Sequence, residues 1–542
     1  MLRNRILKKI RMADRGNNFW DAPEDLADGE ASLTKNCYWR RGIRKRYGSQ
    51  LHSTNEIASG KFVSGLHRFY YGTSSKKLIA AAGTVVSQLD EPNTWTTIRT
   101  GQTDASIYHM CTWAAVNKMY VANGVDVPFS IDSSLNDTDV ADGGTTIPAD
   151  VKMFRPYRDR LLAISTTNPS YLKWTDSYDD SAMIADAQAI RVPGPGPIES
   201  ITLHSLSGTD TGLDAMILVA KQSSLYLFSG LDLDPASGSF DARLDPIGGG
   251  DNVGCVAPRT IVQTPKGSIF LGNDRQVYLL PYESSFIIPI GYKIQHQLGG
   301  DGTIPYSLVD IPLAQMSQSC AIYHDGFYKL SFPYSSTRGN TVQYWLDIGR
   351  MYVDDKGHYG PWYGPMEGND AGIFVHQNGA ADNGLLLIGD QGSHGYVYSV
   401  DIPTIYRDAG TDIDMQLRTR GEALVDPGLD ARVTQSELEM LSPTGSVSIT
   451  LFDTNGSIGP STSLSVASVG SYWDTGKKWD DGSMWSPSGQ PTRQKVQYYD
   501  KNLIGRYIAT DIEYSNNSDY HIYSIVHEAK PMEKTFGVKG GT

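Results

Sequence analysis

The sequence has few features that would support disulfide, metal or membrane chemistry. Its 542 residues include four cysteines, which are far apart and form no Cys-x-x-Cys pair, so neither a zinc site nor a dense disulfide framework is predicted. No run of about 18 apolar residues occurs, and the basic opening "MLRNRILKKIRM" lacks the apolar stretch that follows in a signal peptide. We therefore expect no membrane-spanning segment, no export by that route, and reduced, buried cysteines.

Motifs of the common enzyme classes are also missing. There is no P-loop, no Gly-x-Ser-x-Gly elbow and no His-Glu-x-x-His helix, and the 11 histidines lack the short spacing of metal ligands. The glycine-rich segments "VPGPGPIES" and "PIGGGDNVG" do not stand between a strand and a helix, so they are interpreted as loops. The sequence predicts no catalytic residue, no cofactor and no bound metal, and we expect the protein not to be an enzyme.

Charge is distributed unevenly along the chain. The net charge is −13, which argues against a general nucleic-acid binder. The first 50 residues nevertheless contain twelve Lys and Arg against six Asp and Glu, so this segment carries +6 and the remainder −19. The basic opening segment is expected either to stay disordered until it meets an acidic neighbour or to be a frayed tail.

A strand–turn–strand unit recurs from about residue 56 to 405. About seven copies follow one another at roughly 40 to 60 residues, the interval expected of propeller blades. They are "KKLIAAAGTVVSQLD", "NKMYVANGVDVPFSID", "DRLLAISTTNPSYLKWTD", "DAMILVAKQSSLYLFSG", "GSIFLGNDRQVYLLPY", "DGFYKLSFPYSSTRGNTVQYWLDI" and "NGLLLIGDQGSHGYVYSVD". Their turns contain the Gly, Asn and Asp residues that tight hairpins need, and their strands are apolar on both faces, as strands between packed sheets must be. A pair of large sandwiches is the alternative architecture.

Beyond about residue 406 the repeat ends and longer alternating strands follow, such as "ARVTQSELEML" and "GRYIATDIEYS". This period-two pattern indicates sheets with one buried face. The predicted fold is all-β: a basic N-terminal arm and hairpin over residues 1–55, a β-propeller of approximately seven blades over 56–405, and a C-terminal β-sandwich over 406–542.

One aromatic stretch could belong to an enzyme. "YWDTGKKWDDGSMWSPSG" contains Trp473, Trp479 and Trp485 beside the carboxylates of Asp474, Asp480 and Asp481. Aromatic rings stack on sugars and paired acids cleave glycosidic bonds, so a propeller glycosidase is a rival function. The stretch lies outside the repeats, however, and we interpret the three tryptophans as an ordered turn or a subunit contact.

The segment "FWDAPEDLADGEASLTKNCYWRRGIRKRYGS" resembles the N-terminal signature of bacteriophage tail proteins of the nozzle or hub type. The matching residues are Pro23, Asp28, Gly29, Glu30, Asn36, Gly42, Arg44, Arg46 and Gly48. The chain departs from the signature in lacking its opening Gly-Gly and in having Tyr47 where a Pro is frequent. The late segment "NLIGRYIATDIEYSNNSDYHIYSIVHEAKPMEK" is similar to the final strands of such virion proteins.

The resemblance implies a structural protein of a tailed-phage virion, present in the tail and, during assembly, in the host cytoplasm. It implies a homo-oligomer, a six-fold nozzle ring around the DNA exit channel, with adjacent tail, adaptor or portal-complex proteins and tail fibres as partners. Genomic DNA would pass without sequence-specific binding. The alternatives are a module that binds a host receptor or surface glycan and a capsule-degrading propeller glycosidase.

The stretch "CYWRRGIRKRYGS" is predicted to be a short hairpin that turns near Gly42 and is anchored by its aromatic residues. Its cations are then expected to project from an anchored strand pair. They are the candidate assembly contacts Arg40, Arg41, Arg44, Lys45 and Arg46, together with the three tryptophans named above. Contact with a partner ranks before structural decoration and before DNA binding, and charge reversal at Arg44 and Arg46 is expected to block assembly without unfolding the monomer.

Overall fold

The structure is a computed structural model. It describes residues 5–532, apart from residues 73–74, 91, 143–144, 147–149, 180–187, 206–214, 232–240, 250–251, 283, 296–305, 335–339, 369–370, 377–383, 391, 393, 427–428, 442–444, 454–461, 467–492 and 499–502. The described part consists mainly of antiparallel strands with a few short helical turns, so the prediction of an all-β chain is confirmed. The helical turns are α1 (Tyr292–Gln295) and the 3-10 turns Ala114–Val116, Pro258–Thr260, Leu308–Asp310 and Leu313–Gln318.

Five short strands form the N-terminal segment. They are β1 (Ile6–Ile10), β2 (Ala31–Lys35), β3 (Cys37–Trp39), β4 (Ile43–Lys45) and β5 (Gly48–Leu51). Each of them pairs with a strand from a distant part of the chain or belongs to a hairpin that does, as described below.

Four-stranded antiparallel sheets follow one another along the middle of the chain. The first three are β6 (Val63–Tyr71), β7 (Ser75–Ala82), β8 (Val85–Asp90) and β9 (Thr94–Arg99); β10 (His109–Trp113), β11 (Lys118–Ala122), β12 (Phe129–Ile131) and β13 (Asp137–Asp139); and, after the small hairpin β14 (Ala141–Asp142) and β15 (Thr145–Thr146), β16 (Val151–Tyr157), β17 (Arg160–Ser165), β18 (Tyr171–Trp174) and β19 (Ala189–Arg191).

The next three sheets repeat the pattern. They are β20 (Ile198–Ser205), β21 (Ala215–Lys221), β22 (Leu225–Ser229) and β23 (Arg243–Pro246); β24 (Val262–Thr264), β25 (Gly267–Leu271), β26 (Val277–Pro281) and β27 (Ile288–Pro289); and β28 (Cys320–His324), β29 (Phe327–Pro333), β30 (Asn340–Asp347) and β33 (Trp362–Glu367), with the hairpin β31 (Tyr352–Val353) and β32 (Tyr359–Gly360) between the last two strands.

The seventh sheet combines distant parts of the chain. Its first three strands are β34 (Ala371–His376), β35 (Leu386–Asp390) and β36 (Val397–Ile402), and its fourth is β5, which runs antiparallel to β36. The small strands β37 (Arg407–Asp408) and β38 (Thr411–Asp412) continue the sheet beyond β5. A strand from near the start of the chain therefore completes the sheet at the end of the repeats.

All seven hairpins predicted from the repeats are present, and each forms the second and third strands of one sheet. Local turn chemistry explains why they form. Gly83 joins β7 to β8 with a φ of +58°, which glycine adopts without steric cost. The strands are buried on both faces, and all five residues of β25 and of β35 are buried. Such strands are stable only between two neighbouring sheets.

The sheets pack in a closed circuit, which defines a β-propeller. The first strand of each sheet contacts the first strand of the next or the 3-10 turn just before it, and β34 of the last sheet contacts β6 of the first. Each sheet thereby covers its neighbours' apolar faces. The first strands β6, β10, β16, β20, β24, β28 and β34 thus surround the centre of the ring.

The C-terminal strands build two further sheets. They are β39 (Met415–Thr419), β40 (Ala431–Leu441), β41 (Gly445–Asp453), β42 (Thr462–Val466), β43 (Arg493–Tyr498), β44 (Ile504–Gly505), β45 (Ile508–Tyr514) and β46 (His521–Pro531). One sheet has the order β3-β4-β46-β40-β43, with β1 added to β46 and β44 added to β40, and the other has the order β2-β39-β45-β41-β42. One apolar core lies between them and contains Leu417 and Ile512 from one sheet and Val433 and Ile525 from the other. We call this the two-sheet unit.

The N-terminal residues do not stand apart as an arm. Strands β1, β2, β3 and β4 belong to the two-sheet unit, whereas β5 belongs to the propeller. Residues Ile6–Ile10, for which disorder was considered, form a strand that pairs with β46 from Ile525 to Ala529. The boundaries proposed at residues 55 and 405 stay a prediction.

His527 makes the two-sheet unit sensitive to acid. Its side chain is buried, with Nδ1 2.7 Å from Ser436 Oγ and Nε2 2.9 Å from Thr510 Oγ1, and burial lowers its pKa to about 4. Because the unfolded pKa is about 6.5, the unfolded chain binds a proton that the folded chain excludes between these values. The stability contributed by neutral His527 is present above pH 6.5 and is lost as the pH falls toward 4.

We predict that the free energy of unfolding falls by up to about 1.4 kcal/mol per pH unit from His527 in this window. Urea unfolding at a series of pH values, followed by circular dichroism, measures it. His527→Gln, which does not titrate there, should show a shallower acid slope, whereas His394→Gln on the exposed surface should keep the slope of the wild type. An unchanged slope in His527→Gln would show that this histidine does not carry the effect.

Candidate functional site

The basic stretch forms the predicted hairpin. Strands β3 and β4 are antiparallel, with Tyr38 opposite Arg44, and the turn contains Arg41 and Gly42 at φ values of +60° and +154°. A Cβ atom on Gly42 would lie 2.9 Å from the carbonyl oxygen of Ile522, so the hairpin approaches β46 more closely than a side chain allows. Strand β4 then pairs with β46 through its first two residues.

Arg46, just after β4, is buried in the junction between the propeller and the two-sheet unit. Its side chain is 1% exposed, and its guanidinium forms a bidentate ion pair with Asp408, which is 362 residues away along the chain. It also donates to the carbonyl oxygen of Glu367, and its Nε donates to Asn36 Oδ1 at 2.9 Å. The planar guanidinium group suits these carboxylate, carbonyl and amide oxygens, because its N–H donors point in fixed directions.

Asn36 connects Arg46 to two other segments of the chain. Its Oδ1 also accepts the backbone N–H of Glu367 at 2.8 Å, and its Nδ2 donates to the carbonyl oxygen of Asp414 at 2.7 Å. Its φ of +53° is a conformation that asparagine adopts more readily than most residues. Arg46, Asp408, Asn36 and Glu367 are called the junction cluster below.

Lys45 and Arg44 also find partners within the chain. Lys45 is buried, its ammonium donates to the carbonyl oxygen of Asn516, and it lies 5.1 Å from the ring centre of Tyr514. Burial, and then the neighbouring charge of Arg46, lower the pKa of Lys45 to about 8. Arg44 lies over the ring of Tyr47 at 4.4 Å and 3.6 Å from a carboxylate oxygen of Asp519.

The remaining two cations lie at the tip of the hairpin. Arg40 is partly exposed; it donates to the carbonyl oxygen of Asp325 at 2.6 Å and lies over the ring of Phe327 at 4.8 Å. Arg41 is exposed. The expectation that all five cations project outward is therefore wrong. The physical reason is that Lys45 and Arg46 meet carbonyl and carboxylate oxygens of three distant segments, which compensate for the loss of water.

Because Arg46 is buried, we now expect charge reversal at Arg44 and Arg46 to destabilise the monomer itself. A carboxylate in place of Arg46 would face Asp408 in a site that excludes water. Whether the hairpin contacts another subunit stays a prediction. Trp473, Trp479 and Trp485, and the acids Asp474, Asp480 and Asp481 among them, lie outside the described residues.

Three cations of the basic opening segment form ion pairs within the chain. Arg5 lies 2.9 Å from a carboxylate oxygen of Glu528, and Lys8 lies 3.7 Å from one of Glu422. Arg11 pairs with Asp14 at 2.9 Å. These three cations therefore meet acids of the C-terminal part of the chain as well as a neighbour in sequence, and binding of the segment to an acidic partner protein stays a prediction.

Several residues that carry the phage-tail resemblance lie at contacts of this junction. Glu30 is buried and accepts from Lys293 Nζ at 2.6 Å, which links the segment before β2 to helix α1 beside the fifth sheet. Asn36 and Arg46 belong to the junction cluster. A Cβ atom on Gly48 would lie 2.0 Å from the carbonyl oxygen of Arg407. Glu30, Asn36 and Arg46 thus satisfy charge and hydrogen-bonding requirements where the two units meet, and Gly48 satisfies a packing requirement within the seventh sheet.

The sequence predicted the hairpin but not the distant residues that contact its buried cations. Asp408 is part of a two-residue strand and Glu367 ends β33, and neither position has a local pattern that predicts a contact with residue 46. Among the described residues, no group of three His, Cys, Asp or Glu side chains is placed to hold a metal ion. No helix in the described ranges is long and apolar enough to cross a bilayer.

Comparison with known proteins yields structural neighbours only. No protein-family model matches the sequence, and no curated protein does. Among solved structures, the WD40 β-propeller domain of Doa1 matches with a TM-score of 0.38 and 11% identity, over 65% of this chain and 97% of that chain. The β-propeller domain of Cps50 (Swd1) from Myceliophteria thermophila matches with a TM-score of 0.38 and 10% identity, over 65% and 99%. These values are too low to carry an argument about function.

The junction cluster should dominate the stability of the contact between the two units. We predict that Asp408→Asn lowers the free energy of unfolding by about 3 kcal/mol, because it leaves a buried guanidinium without its counter-charge. Urea denaturation of the full chain measures this loss. The matched control is Asp412→Asn, whose pair with Arg407 is exposed on both sides and should change stability by less than about 1 kcal/mol. Equal effects of the two substitutions would contradict the assignment.

Proposed function

We propose that the protein is a structural component of a tailed-phage virion, a subunit of the tail nozzle or hub type. The observation that carries the proposal is the position of the signature residues. Glu30, Asn36 and Arg46, which carry the resemblance, lie at buried contacts between the propeller and the two-sheet unit, and Gly48 lies at a close contact within the seventh sheet.

We further propose that the seven consecutive sheets are the blades of one propeller, closed by β5, and that the two-sheet unit is a β-sandwich. The closed circuit of first strands and the single core between the two C-terminal sheets support this assignment. A closed ring of sheets resists deformation because no sheet face or inner edge can separate without exposing apolar surface. Such a body suits a rigid wall and docking platform.

In the assembly, several copies would surround the DNA exit channel and dock other tail proteins. The net charge of −13 supports passage of DNA, because an acidic wall repels phosphate and lets the duplex slide. The hairpin tip with Arg40 and Arg41 is the part of the basic stretch that solvent reaches, so it is the proposed contact with a neighbouring subunit. Lys45 and Arg46 serve the fold of the subunit instead.

Purification of the full chain, followed by light scattering and electron microscopy, tests the proposal. We predict that the protein assembles into closed rings and that Arg41→Glu shifts the population toward monomers while the circular dichroism spectrum stays unchanged. The matched control is Arg243→Glu, a substitution at a side chain that is 72% exposed on the fourth sheet, which should assemble like the wild type.

A chain that stays monomeric at every concentration and releases sugars from bacterial capsule would contradict the proposal and favour a glycosidase. A monomer that binds host cells would favour receptor recognition. Equal assembly of the wild type and Arg41→Glu would contradict the assignment of the hairpin tip to the subunit interface. The electron micrographs would still show whether closed rings form.

A further inference from the structure

A cavity lies in the two-sheet unit, where β1 ends beside the β3–β4 hairpin. Its volume is about 350 Å³, and its lining combines two buried apolar side chains, Ile10 and Met12, with the half-buried rings of Trp39 and Tyr523. The hairpin turn is close, since a Cβ atom on Gly42 would lie 3.2 Å from the ring of Tyr523. Apolar and aromatic side chains in this combination suit an aromatic anchor from a partner.

Cations border this cavity, which we call the basic pocket. Lys9 lines it, is exposed, and forms no ion pair within the part of the chain that the structure describes. Arg11 also lines it and pairs with Asp14 at 2.9 Å and with Asp28 at 3.6 Å. Arg350 lies 3.6 Å from the same carboxylate of Asp14. Three cations against two carboxylates give a net charge of +1, and the ammonium of Lys9 is the charge left to meet an acid of a partner.

The third sheet presents an exposed tyrosine in a tight turn. Tyr178 follows β18, is 64% exposed and has a φ of +55°. We call residues 176–179 the acidic turn. It is held by a bridge between Asp176 and Asp179 and by the backbone N–H of Tyr178, which donates to the carbonyl oxygen of Asp159 at 2.8 Å. A residue other than glycine rarely adopts this φ, which costs conformational energy. The fold therefore holds a large ring in a fixed turn, although the ring gains little burial within the subunit.

Carboxylates outnumber cations around this turn. Asp176 and Asp179 are exposed on either side of the tyrosine, and Asp159 lies in the adjoining turn between β16 and β17. Two arginines offset them in part. Arg158 is exposed. Arg160 is buried and lies 3.9 Å from carboxylate oxygens of both Asp159 and Asp176. Three carboxylates against two cations give a net charge of −1, which is opposite in sign to that of the basic pocket.

The basic pocket and the acidic turn lie on opposite sides of the subunit. The pocket is beside the sixth sheet, because Arg350, in the segment after β30, lies over the ring of Trp39 at 5.4 Å. Arg40 of the same hairpin donates to the carbonyl oxygen of Asp325, between β28 and β29. The acidic turn belongs to the third sheet, and in a circuit of seven sheets the third and the sixth are separated by two sheets one way and three the other. Two different patches on opposite sides suit a head-to-tail contact between identical subunits, which builds a ring when the rotation closes.

We propose that the basic pocket of one subunit receives Tyr178 of a neighbouring copy of this chain. The phenol ring fills the cavity beside Trp39 and Tyr523, and a carboxylate of the acidic turn pairs with Lys9. Burial of the aromatic ring supplies most of the binding free energy, whereas the charges fix the orientation of the two copies. This inference rests on the proposed assembly into rings and names the contact that builds them.

Analytical ultracentrifugation of full-length variants over a series of concentrations tests the contact. Tyr178→Asn removes the ring and keeps a residue that tolerates its φ, and Lys9→Glu places a like charge opposite the acidic turn. We expect each substitution to raise the concentration at which half of the chains are assembled at least about tenfold, with an unchanged circular dichroism spectrum. The matched control is Tyr171→Thr, at a tyrosine of the same sheet that is 41% exposed, which should assemble like the wild type.

An equimolar mixture of Tyr178→Asn and Lys9→Glu tests whether the two surfaces meet each other. Each variant keeps one intact surface, so we expect dimers, and no closed rings, at concentrations where either variant alone is monomeric. A mixture that stays monomeric overturns the proposed contact. If the wild type forms rings and both variants form them equally well, the contact is overturned while the ring assembly stands. A wild type that is monomeric at every concentration contradicts both.

Discussion

The buried guanidinium of Arg46 is the constraint on which the relation between the two units depends. A cation with 1% exposure is tolerable only when its donors are matched by fixed acceptors. Here these come from Asp408 of the seventh sheet, Glu367 of the sixth sheet and Asn36 of the N-terminal segment. Removing the Asp408 carboxylate leaves an uncompensated charge, and removing a neutral acceptor leaves a buried N–H donor unsatisfied, so the three segments are held in one geometry. The propeller and the two-sheet unit are therefore linked by charge as well as by apolar packing.

The N-terminal segment contributes strands to both units. Its strand β2 extends one sheet of the two-sheet unit, β1 and the β3–β4 hairpin extend the other, and β5 completes the last sheet of the propeller. Strand edges that would otherwise be exposed are thus paired by residues that lie next to one another in sequence. Arg46 follows the hairpin directly and lies between β4 and β5. The chain crosses from the two-sheet unit to the propeller at this position.

Local signals in the sequence predicted much of the fold. The repeated hairpins follow from turn residues such as Gly83 and from strands that are apolar on both faces, and these signals act over a few residues. The fourth strand of the seventh sheet was not predicted, because Gly48–Leu51 is short and its partner Val397–Ile402 is some 350 residues away. The burial of Lys45 and Arg46 was also missed: a run of cations looks the same in sequence whether it meets solvent or the distant Asp408.

Hydrogen exchange measured by mass spectrometry on Asn36→Ala tests the central claim most directly, namely that the junction cluster couples the two units. The substitution removes three side-chain hydrogen bonds at the boundary, to Arg46, Glu367 and Asp414. The account predicts that amides of β2 in the two-sheet unit and of β5 in the propeller both exchange about tenfold faster or more than in the wild type. Faster exchange confined to one of the two units, or unchanged exchange in both, would contradict it.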